Sequence, residues 1–332
     1  MSARSQHLRI SFISFLPVCF LLFAMHTHVR AQEVYPSRPV RFIVAIPAGS
    51  GTDIVARLIA DGLSKRLGRQ FIVENRPGAG TIIGNDAVAK AKPDGYTLLI
   101  NGAAFTIAPA VYRKLPYDAL HDFAPVTAAV VSPNLMAVHP SVPVRTVKEL
   151  IALARSRPDQ ILYASGGNGT NSHMATALFA SMAGIRIVHV PYKGSTPGVI
   201  DLIAGNVAMT TNSMPTLMPH VRAARLRALG VASARRAAGA PDLPTLAEAA
   251  GLPGYESAQW TGVWAPAGTA PEIIVRLHRE IVGTLNVAET RERLLADGSE
   301  IIGSSPEEFA ALIRLELARW ISVVKSTGIA PM

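Results

Sequence analysis

One arrangement recurs along the chain: a short apolar or β-branched run, a loop rich in Gly, Ser, Thr, Asn and Pro, and a run with apolar residues at helical spacing. The first cycle has a predicted strand at residues 40–46, a loop at 47–52 and a predicted helix at 53–66, which Gly68 ends. Alternation of this kind predicts parallel β-sheets with helices on both faces. Five later cycles begin with predicted strands at residues 71–73, 97–100, 161–164, 187–190 and 207–210.

Two apolar, β-rich stretches, residues 123–139 and 260–265, break the alternation because no helix follows them at once. We interpret them as long strands that cross between two domains, one outgoing and one returning. The sequence therefore predicts an α/β protein with two doubly wound domains. The predicted divisions are a discontinuous domain I at residues 34–131 plus 255–332 and an inserted domain II at residues 132–254.

The first 31 residues have the organisation of a secretory signal. Arg4 and Arg9 precede an apolar run at residues 10–25, and a stretch that fits a cleavage site ends at Ala31. The run is short for a membrane span, which needs roughly 20 residues, so we expect export to the periplasm and cleavage near Ala31. A retained membrane anchor is one alternative. Lipidation at Cys19 is another, although the residue before Cys19 is larger than a lipidation site prefers.

Composition agrees with an exported globular protein, since 49% of the 332 residues are hydrophobic and 17% are charged. The only cysteine lies in the predicted signal, so the mature chain has no disulfide or thiolate chemistry. The formal net charge of +9 falls to +6 without the three arginines of the signal, and this excess favours anions. A solvated basic surface without a special role explains it equally well. Because no basic run is interleaved with aromatic residues, we expect no nucleic-acid partner.

The loops themselves carry the candidate chemistry. In an open parallel sheet, ligands bind beyond the carboxyl ends of the strands, where these loops lie. Several loops begin a helix, so unpaired main-chain N–H groups with partial positive charge point into one space. Lys193 is the one cation in such a loop. The small, mostly neutral donors that we predict to contact an anion are Ala48, Gly49, Ser50, Gly51, Thr52, Gly167, Asn168, Gly169, Thr170, Gly194 and Ser195.

Enzyme motifs are poor. The chain has no G-x-x-x-x-G-K-[ST] phosphate loop and no H-E-x-x-H zinc motif, and residues 78–84 have one residue too many for a dinucleotide fingerprint. Ser50 lies at a strand-to-helix turn, but Ala48 occupies a position where a nucleophile elbow needs glycine. We therefore expect no catalysis, no cofactor and no metal. A periplasmic hydrolase that uses Ser50 is the alternative, and it requires a histidine within reach of that hydroxyl.

The loops and their flanks form an ordered set of short motifs that covers nearly all of the mature chain. The set resembles the Bug family, the periplasmic receptors of tripartite tricarboxylate transporters. The motifs are Y-P-S-R-P-V at 35–40, P-A-G at 47–49, T-D-I-V-A-R at 52–57, V-E-N-R-P-G-A-G at 73–80, K-P-D-G-Y-T-L at 92–98, Y-R-K-L-P-Y-D at 112–118, V-P-Y-K-G-S at 190–195, L-P-T at 243–245 and A-P-A-G-T at 265–269.

The resemblance implies a Venus-flytrap fold of the type II periplasmic-binding-protein kind. A hinged cleft would capture a small organic anion and pass it to integral-membrane transporter subunits. In the family a carboxylate end is held by the first strand-to-helix loop, here residues 48–53 with Asp53, and the inserted domain contributes residues 165–172 with Ser165. A receptor that presents its ligand to a membrane sensor kinase is the alternative. Mono-, di- and tricarboxylates and aromatic acids all stay open as ligands, as does the oligomeric state.

Two positions depart from the family pattern. Many relatives carry an acidic residue before the asparagine that ends a domain II strand, where this chain has Thr211 and Asn212. Because threonine cannot neutralise an ammonium group, we predict an amine-free ligand. Relatives often place an aromatic residue before the proline of the first loop, where this chain has Ile46. We expect Phe105, next to Ala104, to supply a substitute wall, unless Ile46 simply packs in the sheet.

Overall fold

The computed structural model describes residues 35–296 and 298–327. The predicted signal, with Cys19, lies outside the described residues, and its cleavage stays a prediction. The strands and helices belong to the compact unit that begins at Arg38. Among the described helices, none combines the length and the apolar character needed to cross a membrane.

The described residues form strands and helices in a mostly alternating order. The strands are β1 (Val40–Val44), β2 (Phe71–Asn75), β3 (Thr97–Gly102), β4 (Phe123–Val138), β5 (Leu162–Ser165), β6 (Val188–Pro191), β7 (Met209–Ser213), β8 (Arg227–Val231), β9 (Ala258–Pro266) and β10 (Glu300–Ile301). The helices are α1 (Gly51–Leu67), α2 (Ile82–Ala89), α3 (Ala104–Val111), α4 (Val147–Ser156), α5 (Asn171–Ala183), α6 (Ser195–Ile203), α7 (Met214–Arg222), α8 (Leu246–Ala250), α9 (Pro271–Leu285), α10 (Ala288–Ala296) and α11 (Pro306–Thr327).

The first sheet has the strand order β2-β1-β3-β9-β4, and the short β10 pairs with β4. Strand β1 runs parallel to β2 and β3, whereas β9 runs antiparallel to β3 and β4. Val44 lies opposite Asn75 on one side and Ile100 on the other. The carboxyl ends of these three parallel strands therefore meet at one edge, and the loops that follow them face the same side.

The second sheet combines the last residues of β4 with β7, β5 and β6, and β8 also pairs with β4. Strand β5 is parallel to β6 and β7, and Ser165 pairs with Pro191 at the carboxyl ends of β5 and β6. Strand β4 belongs to both sheets, because it pairs with β9 as far as Pro133 and with β7 from Asn134 to Val138. This one strand carries the chain from the first sheet into the second.

The alternation and both long strands agree with the prediction, since residues 123–139 correspond to β4 and residues 260–265 lie in β9. As predicted for the alternating strands, β1 is parallel to β2 and β3, and β5 is parallel to β6 and β7, whereas the long strands β4 and β9 run antiparallel to their neighbours. The hydrophobic pattern did not reveal helix α10, in which Leu294 is the only buried residue. The domain divisions at 131/132 and 254/255 remain a proposal, and β4 changes partners within two residues of the first.

Aromatic side chains fill the core between the first sheet and helices α3 and α11. The ring of Phe105 lies 4.5 Å from that of Trp264 and 5.1 Å from that of Phe123. Burying one such side chain contributes roughly 1.5–3 kcal/mol. Gly262 of β9 permits this packing, because a β-carbon there would overlap the ring of Phe309. The cluster fixes β4 and β9, two strands that each contribute one residue to the cavity described next.

Candidate ligand-binding site

A cavity of about 550 Å³ lies where the loops of both sheets converge. Its wall comes from the loops after β1, β2, β5 and β6, from both ends of helix α3, and from residues of β4, β7 and β9. A space of this size suits a small organic molecule. The lining residues are Ala45, Ile46, Pro47, Ser50, Gly51, Thr52, Pro77, Gly78, Ala79, Gly80, Thr81, Ala104, Tyr112, Asn134, Gly166, Gly167, Asn168, Thr170, Asn171, Ser172, Pro191, Tyr192, Lys193, Gly194, Ser195, Asn212, Ser213 and Gln259.

Most of the predicted contact residues belong to this wall. They are Ser50, Gly51, Thr52, Ala104, Gly167, Asn168, Thr170, Gly194, Ser195 and Asn212. The predicted residues outside the wall are Ala48, Gly49, Asp53, Phe105, Ser165, Gly169 and Thr211. Several of these lie directly behind the lining residues and hold them in place through hydrogen bonds.

Phe105 and Thr211 lie elsewhere than expected. Phe105 is fully buried in the aromatic core, so it does not form a wall of the cavity, and Ile46 lines the cavity itself. Thr211 and Asn212 are neighbours on β7, and successive side chains of a strand point to opposite faces. Asn212 lines the cavity, whereas Thr211 is fully buried and does not. The prediction of an amine-free ligand therefore cannot rest on Thr211.

Asp53 supports the first loop from behind. The N–H of Gly49 donates to Asp53 Oδ2 at 2.9 Å, and Arg57 Nε donates to the same oxygen at 3.0 Å. Asn75 Nδ2 donates to Asp53 Oδ1 at 2.9 Å and to the carbonyl of Ile46 at 3.0 Å. Asp53 is only 3% exposed, and both of its carboxylate oxygens are occupied. It is a brace for the loop and leaves no oxygen for a ligand.

The ionisation of Asp53 follows from these bonds. Burial raises its pKa, but the hydrogen bonds from Arg57, Asn75 and Gly49 outweigh burial, and the pKa of Asp53 lies below its ordinary value. Its own N–H donates to Ser50 Oγ at 3.2 Å, so Ser50 caps helix α1. The N–H groups of Gly51 and Thr52, both in the cavity wall, have no partner in the described part of the chain.

The second loop, residues 165–172, folds through hydrogen bonds of its own. Thr170 Oγ1 donates to the carbonyl of Gly167 at 2.7 Å, and the N–H of Gly167 donates to Ser165 Oγ at 3.1 Å. Gly167 has a φ of 122°, which glycine adopts far more easily than other residues. Thr170 Oγ1 is directed at the Gly167 carbonyl and accepts no N–H of helix α5, so it does not cap that helix. The first two residues of that helix, Asn171 and Ser172, line the cavity.

Three of the helices that begin at the cavity differ from two helices that begin away from it. Helices α5, α6 and α7 have no side-chain cap and no acidic residue in the first turn. Helices α4 and α8 contribute no lining residue, and each begins with a full capping box, Thr146 with Glu149 and Thr245 with Glu248. Free N–H groups and partial positive charge are thus left at the cavity, where each helix N-terminus stabilises an anion by about 0.3–1 kcal/mol.

Side chains add further donors and little charge. Asn212 Oδ1 accepts hydrogen bonds from the Ser213 N–H at 2.8 Å and from Ser195 Oγ at 3.4 Å. Its Nδ2 donates to none of the described residues and is available to a ligand. Lys193 is the one charged residue of the described wall, and no acidic side chain in the described ranges pairs with it. The cavity is therefore rich in donors and free of carboxylates.

Contacts across the cavity join loops of the first sheet to loops of the second. A β-carbon on Gly194 would lie 2.5 Å from Pro47 Cγ, so the two loops touch at this point. Tyr112 OH donates to the carbonyl of Asn168 at 3.4 Å on another side of the cavity. The conformation described is thus one in which both groups of loops surround the same space.

Sequence reasoning missed the side chains that reach the cavity from inside the strands. Asn134 of β4 and Gln259 of β9 are both buried and both line the cavity. Asn134 Nδ2 donates to Asn171 Oδ1 at 2.5 Å, which fixes the start of helix α5. Gln259 Nε2 donates to Thr52 Oγ1 at 3.3 Å, which fixes the start of helix α1. The sequence did offer a signal for both residues. Asn and Gln side chains are seldom fully buried, so an amide residue inside a buried apolar strand suggests a polar site.

The described residues do not support the hydrolase alternative. Ser50 Oγ is engaged by the N–H of Asp53, and no described histidine forms a hydrogen bond with it. His173 and His189, behind the second loop, bond to Gly169 and Ser165 instead. The described residues also contain no cluster of side chains that would hold a metal ion.

Comparison with known proteins gives consistent results. The family model described as "Tripartite tricarboxylate transporter family receptor" matches residues 55–329. BugT of Bordetella pertussis is 37% identical over 300 residues, which cover 90% of this chain and 92% of BugT. The structure of R. palustris Rpa4515 with adipate matches with a TM-score of 0.87 at 39% identity, covering 90% of this chain and 100% of that one. MatC from Rhodopseudomonas palustris with bound malate matches with a TM-score of 0.83 at 31% identity, covering 87% and 100%.

Proposed function

The chain belongs to the Bug family of tripartite tricarboxylate transporter receptors, and from that premise we propose that it captures a small organic carboxylate in the periplasm for integral-membrane transporter subunits. One observation carries the proposal: three helices without side-chain caps begin at a cavity whose described wall has no acidic residue. Two related structures contain carboxylates, adipate in Rpa4515 and malate in MatC.

One carboxylate end would lie between the starts of helices α1 and α5. The N–H groups of Gly51 and Thr52 would donate from the first sheet's side, and those of Asn171 and Ser172 from the second sheet's side. Hydrogen bonds to a charged group contribute about 1.5–3 kcal/mol each. Because both sides contact the ligand only when the cleft is closed, binding shifts the hinge equilibrium towards the closed form.

The ligand would carry no amine. The described wall offers no carboxylate, and Asp53 behind it has both oxygens occupied by Gly49, Arg57 and Asn75. An ammonium group in the cavity would lose hydration without gaining a counter-charge, which costs several kcal/mol. Adipate and malate meet this condition, whereas aspartate and glutamate do not.

Delivery to a transporter rests on family membership, and the periplasmic location rests on the same membership together with the predicted signal. The cavity serves equally well for a receptor that presents its ligand to a sensor kinase. Uptake of labelled adipate by cells that express the cognate membrane subunits, with and without this receptor, separates the two roles. We expect uptake to depend on the receptor.

The binding site is tested by a charge placed in its wall. Ser195 is the first residue of helix α6 and lines the cavity. Ser195→Asp adds a carboxylate that suits the helix N-terminus but repels an anionic ligand. We expect adipate to raise the Tm of the wild-type protein and to leave that of Ser195→Asp unchanged, while the unliganded Tm values stay within a few degrees.

Ser195→Asn is the matched neutral control, and we expect it to keep most of the adipate-induced shift. Wild-type affinity for adipate in Ser195→Asp would contradict the placement of the anion site.

A further inference from the structure

Three aromatic rings are stacked behind the second loop of the cavity. The imidazoles of His173 on α5 and His189 on β6 lie 4.0 Å apart with an angle of 11° between their planes. Tyr163 of β5 also stacks on His189, with ring centroids 4.9 Å apart and an angle of 20° between the planes. None of the three rings lines the cavity, and the capture of an anion described above uses none of them.

Each imidazole holds one part of the second loop. His173 Nδ1 accepts the N–H of Gly169 at 3.2 Å. His189 Nε2 lies 2.5 Å from Ser165 Oγ, and that same oxygen accepts the N–H of Gly167. A ring nitrogen that accepts a hydrogen bond carries no proton, so His173 is neutral, with its proton on Nε2. Protonation would make both of its nitrogens donors and would remove the partner of Gly169.

The surroundings of the two rings favour the neutral forms. Burial lowers the pKa of His173 to about 4, and burial together with the nearby His173 lowers the pKa of His189 to about 3. Tyr163 is the titratable group that faces the pair from β5, and burial raises its pKa. No described carboxylate offsets the effect of burial on either imidazole.

We propose that His173 and His189 are positioning residues, and that their stacked, neutral rings hold the second loop in its anion-binding conformation. Proton uptake by His173 would release Gly169, disturb the start of helix α5 and weaken ligand binding. The proposal rests on the proposed function, because the ligand concerned is the anion that this loop binds. It adds a dependence on pH that originates in the protein and not in the ligand.

The test compares adipate affinity in three proteins by calorimetry between pH 7.5 and pH 3.5. His173→Asn keeps an acceptor near the position of Nδ1 and cannot titrate, whereas His173→Leu removes the acceptor. At pH 7.5 we expect His173→Asn to bind within about three-fold of wild type and His173→Leu to bind at least ten-fold more weakly. Relative to His173→Asn, the wild type should lose a further factor of about two at pH 4 and about four at pH 3.5. Protonation of adipate itself cancels in this ratio.

Parallel pH profiles for wild type and His173→Asn, or full affinity in His173→Leu, would overturn the proposal. Nitrogen-15 NMR of the unliganded wild-type protein tests it without any ligand. We expect His173 to carry its proton on Nε2 at pH 6 and to titrate near pH 4. A proton on Nδ1, or a midpoint near 6.5, would overturn it. Failure of wild-type protein to bind any carboxylate at pH 7.5 would contradict the proposed function alone, because the NMR result would stand.

Discussion

The first and second loops of the cavity occupy equivalent places, each between a parallel strand and the start of a helix, yet they are supported in different ways. Asp53 braces the first loop with a buried, ionised carboxylate that accepts from Gly49 and pairs with Arg57. Neutral imidazoles brace the second loop through Gly169 and Ser165. The donors offered to a ligand are alike, since both are main-chain N–H groups. The two loops therefore differ in their supports and not in their donors, and we expect the supports to decide how each loop responds to acid.

The difference has an electrostatic origin. A carboxylate beside the start of helix α1 is stabilised by the helix dipole and by Arg57, so charge is retained there at low cost. Behind the second loop no described side chain supplies a counter-charge, and only neutral groups can be buried there without penalty. Acid should therefore disturb the second loop before the first.

The largest loss of stability and of adipate affinity is expected when the charged support of the first loop, Asp53, is removed. Asp53→Ala removes the acceptor of the Gly49 N–H and of Arg57 Nε, and it removes one of the two acceptors of Asn75 Nδ2. We expect the free energy of unfolding to fall by about 2–4 kcal/mol and adipate affinity to fall at least 100-fold. Urea unfolding and calorimetry measure the two quantities. Asp53→Asn, which keeps one acceptor, should lose less of both, and a stable Asp53→Ala protein with intact binding would show that the first loop needs no brace.

A smaller loss of adipate affinity is expected when the neutral support of the second loop is disrupted. Ser165→Ala removes the acceptor for the N–H of Gly167 and the partner of His189. We expect adipate to bind about ten-fold more weakly, which corresponds to about 1.4 kcal/mol. Ser156→Ala is the control, because that hydroxyl bonds to Leu153 at the exposed end of helix α4. Equal adipate affinities for Ser165→Ala and Ser156→Ala would contradict the placement of the second loop in the binding site.

The pH dependence of stability separates the two supports. Unfolded histidine binds a proton near its ordinary pKa, whereas folded His173 and His189 do so only near 4 and 3. The free energy of unfolding should therefore fall as the pH is lowered from about 6.5 towards 4. The pKa of Asp53 is lowered, so its contribution is lost only below the ordinary carboxyl range.

Urea midpoints at pH 7, 5.5 and 4.5 measure this dependence. His173→Asn should lose less stability over the interval than the wild type, because one of the two titrating imidazoles is gone. The same decline in both proteins would contradict the assignment of the acid sensitivity to the second loop.

The smallest effect is expected at Lys193, whose side chain is exposed at the cavity wall. Lys193→Met should weaken adipate binding by less than about three-fold and should act mainly on the association rate, more at low salt than at high salt. Stopped-flow binding at two salt concentrations measures this. A loss as large as that of Ser165→Ala would mean that an ion pair, and not the main chain, holds the ligand.

The sequence predicts much of the site because its requirements are local. Glycine, serine and threonine at a strand-to-helix turn imply an approachable main chain, and the loops around Ser50 and Asn168 lie at the cavity as expected. The uncapped start of helix α5 was not readable, because Thr170 looks like a cap and instead bonds to Gly167.

The rest depends on pairings between distant segments. Asn134 and Gln259 reach the cavity because β4 and β9 lie side by side, which residue types alone do not reveal. The side chains of β7 alternate between two faces, so Asn212 contributes to the cavity wall and Thr211 does not. A register error of one residue in the predicted strand reverses that assignment. Phe105 was misplaced because the aromatic core around Trp264 assembles from several distant elements.

Calorimetry at pH 7.5 with two molecules of the same length and opposite charge, adipate and hexane-1,6-diamine, tests the central claim most directly. Converging main-chain donors and the absence of acidic groups from the described wall predict that adipate binds and that the diamine does not. Binding of the diamine with equal or greater affinity would contradict the account, because a cavity lined by helix N-termini has no means to hold a cation.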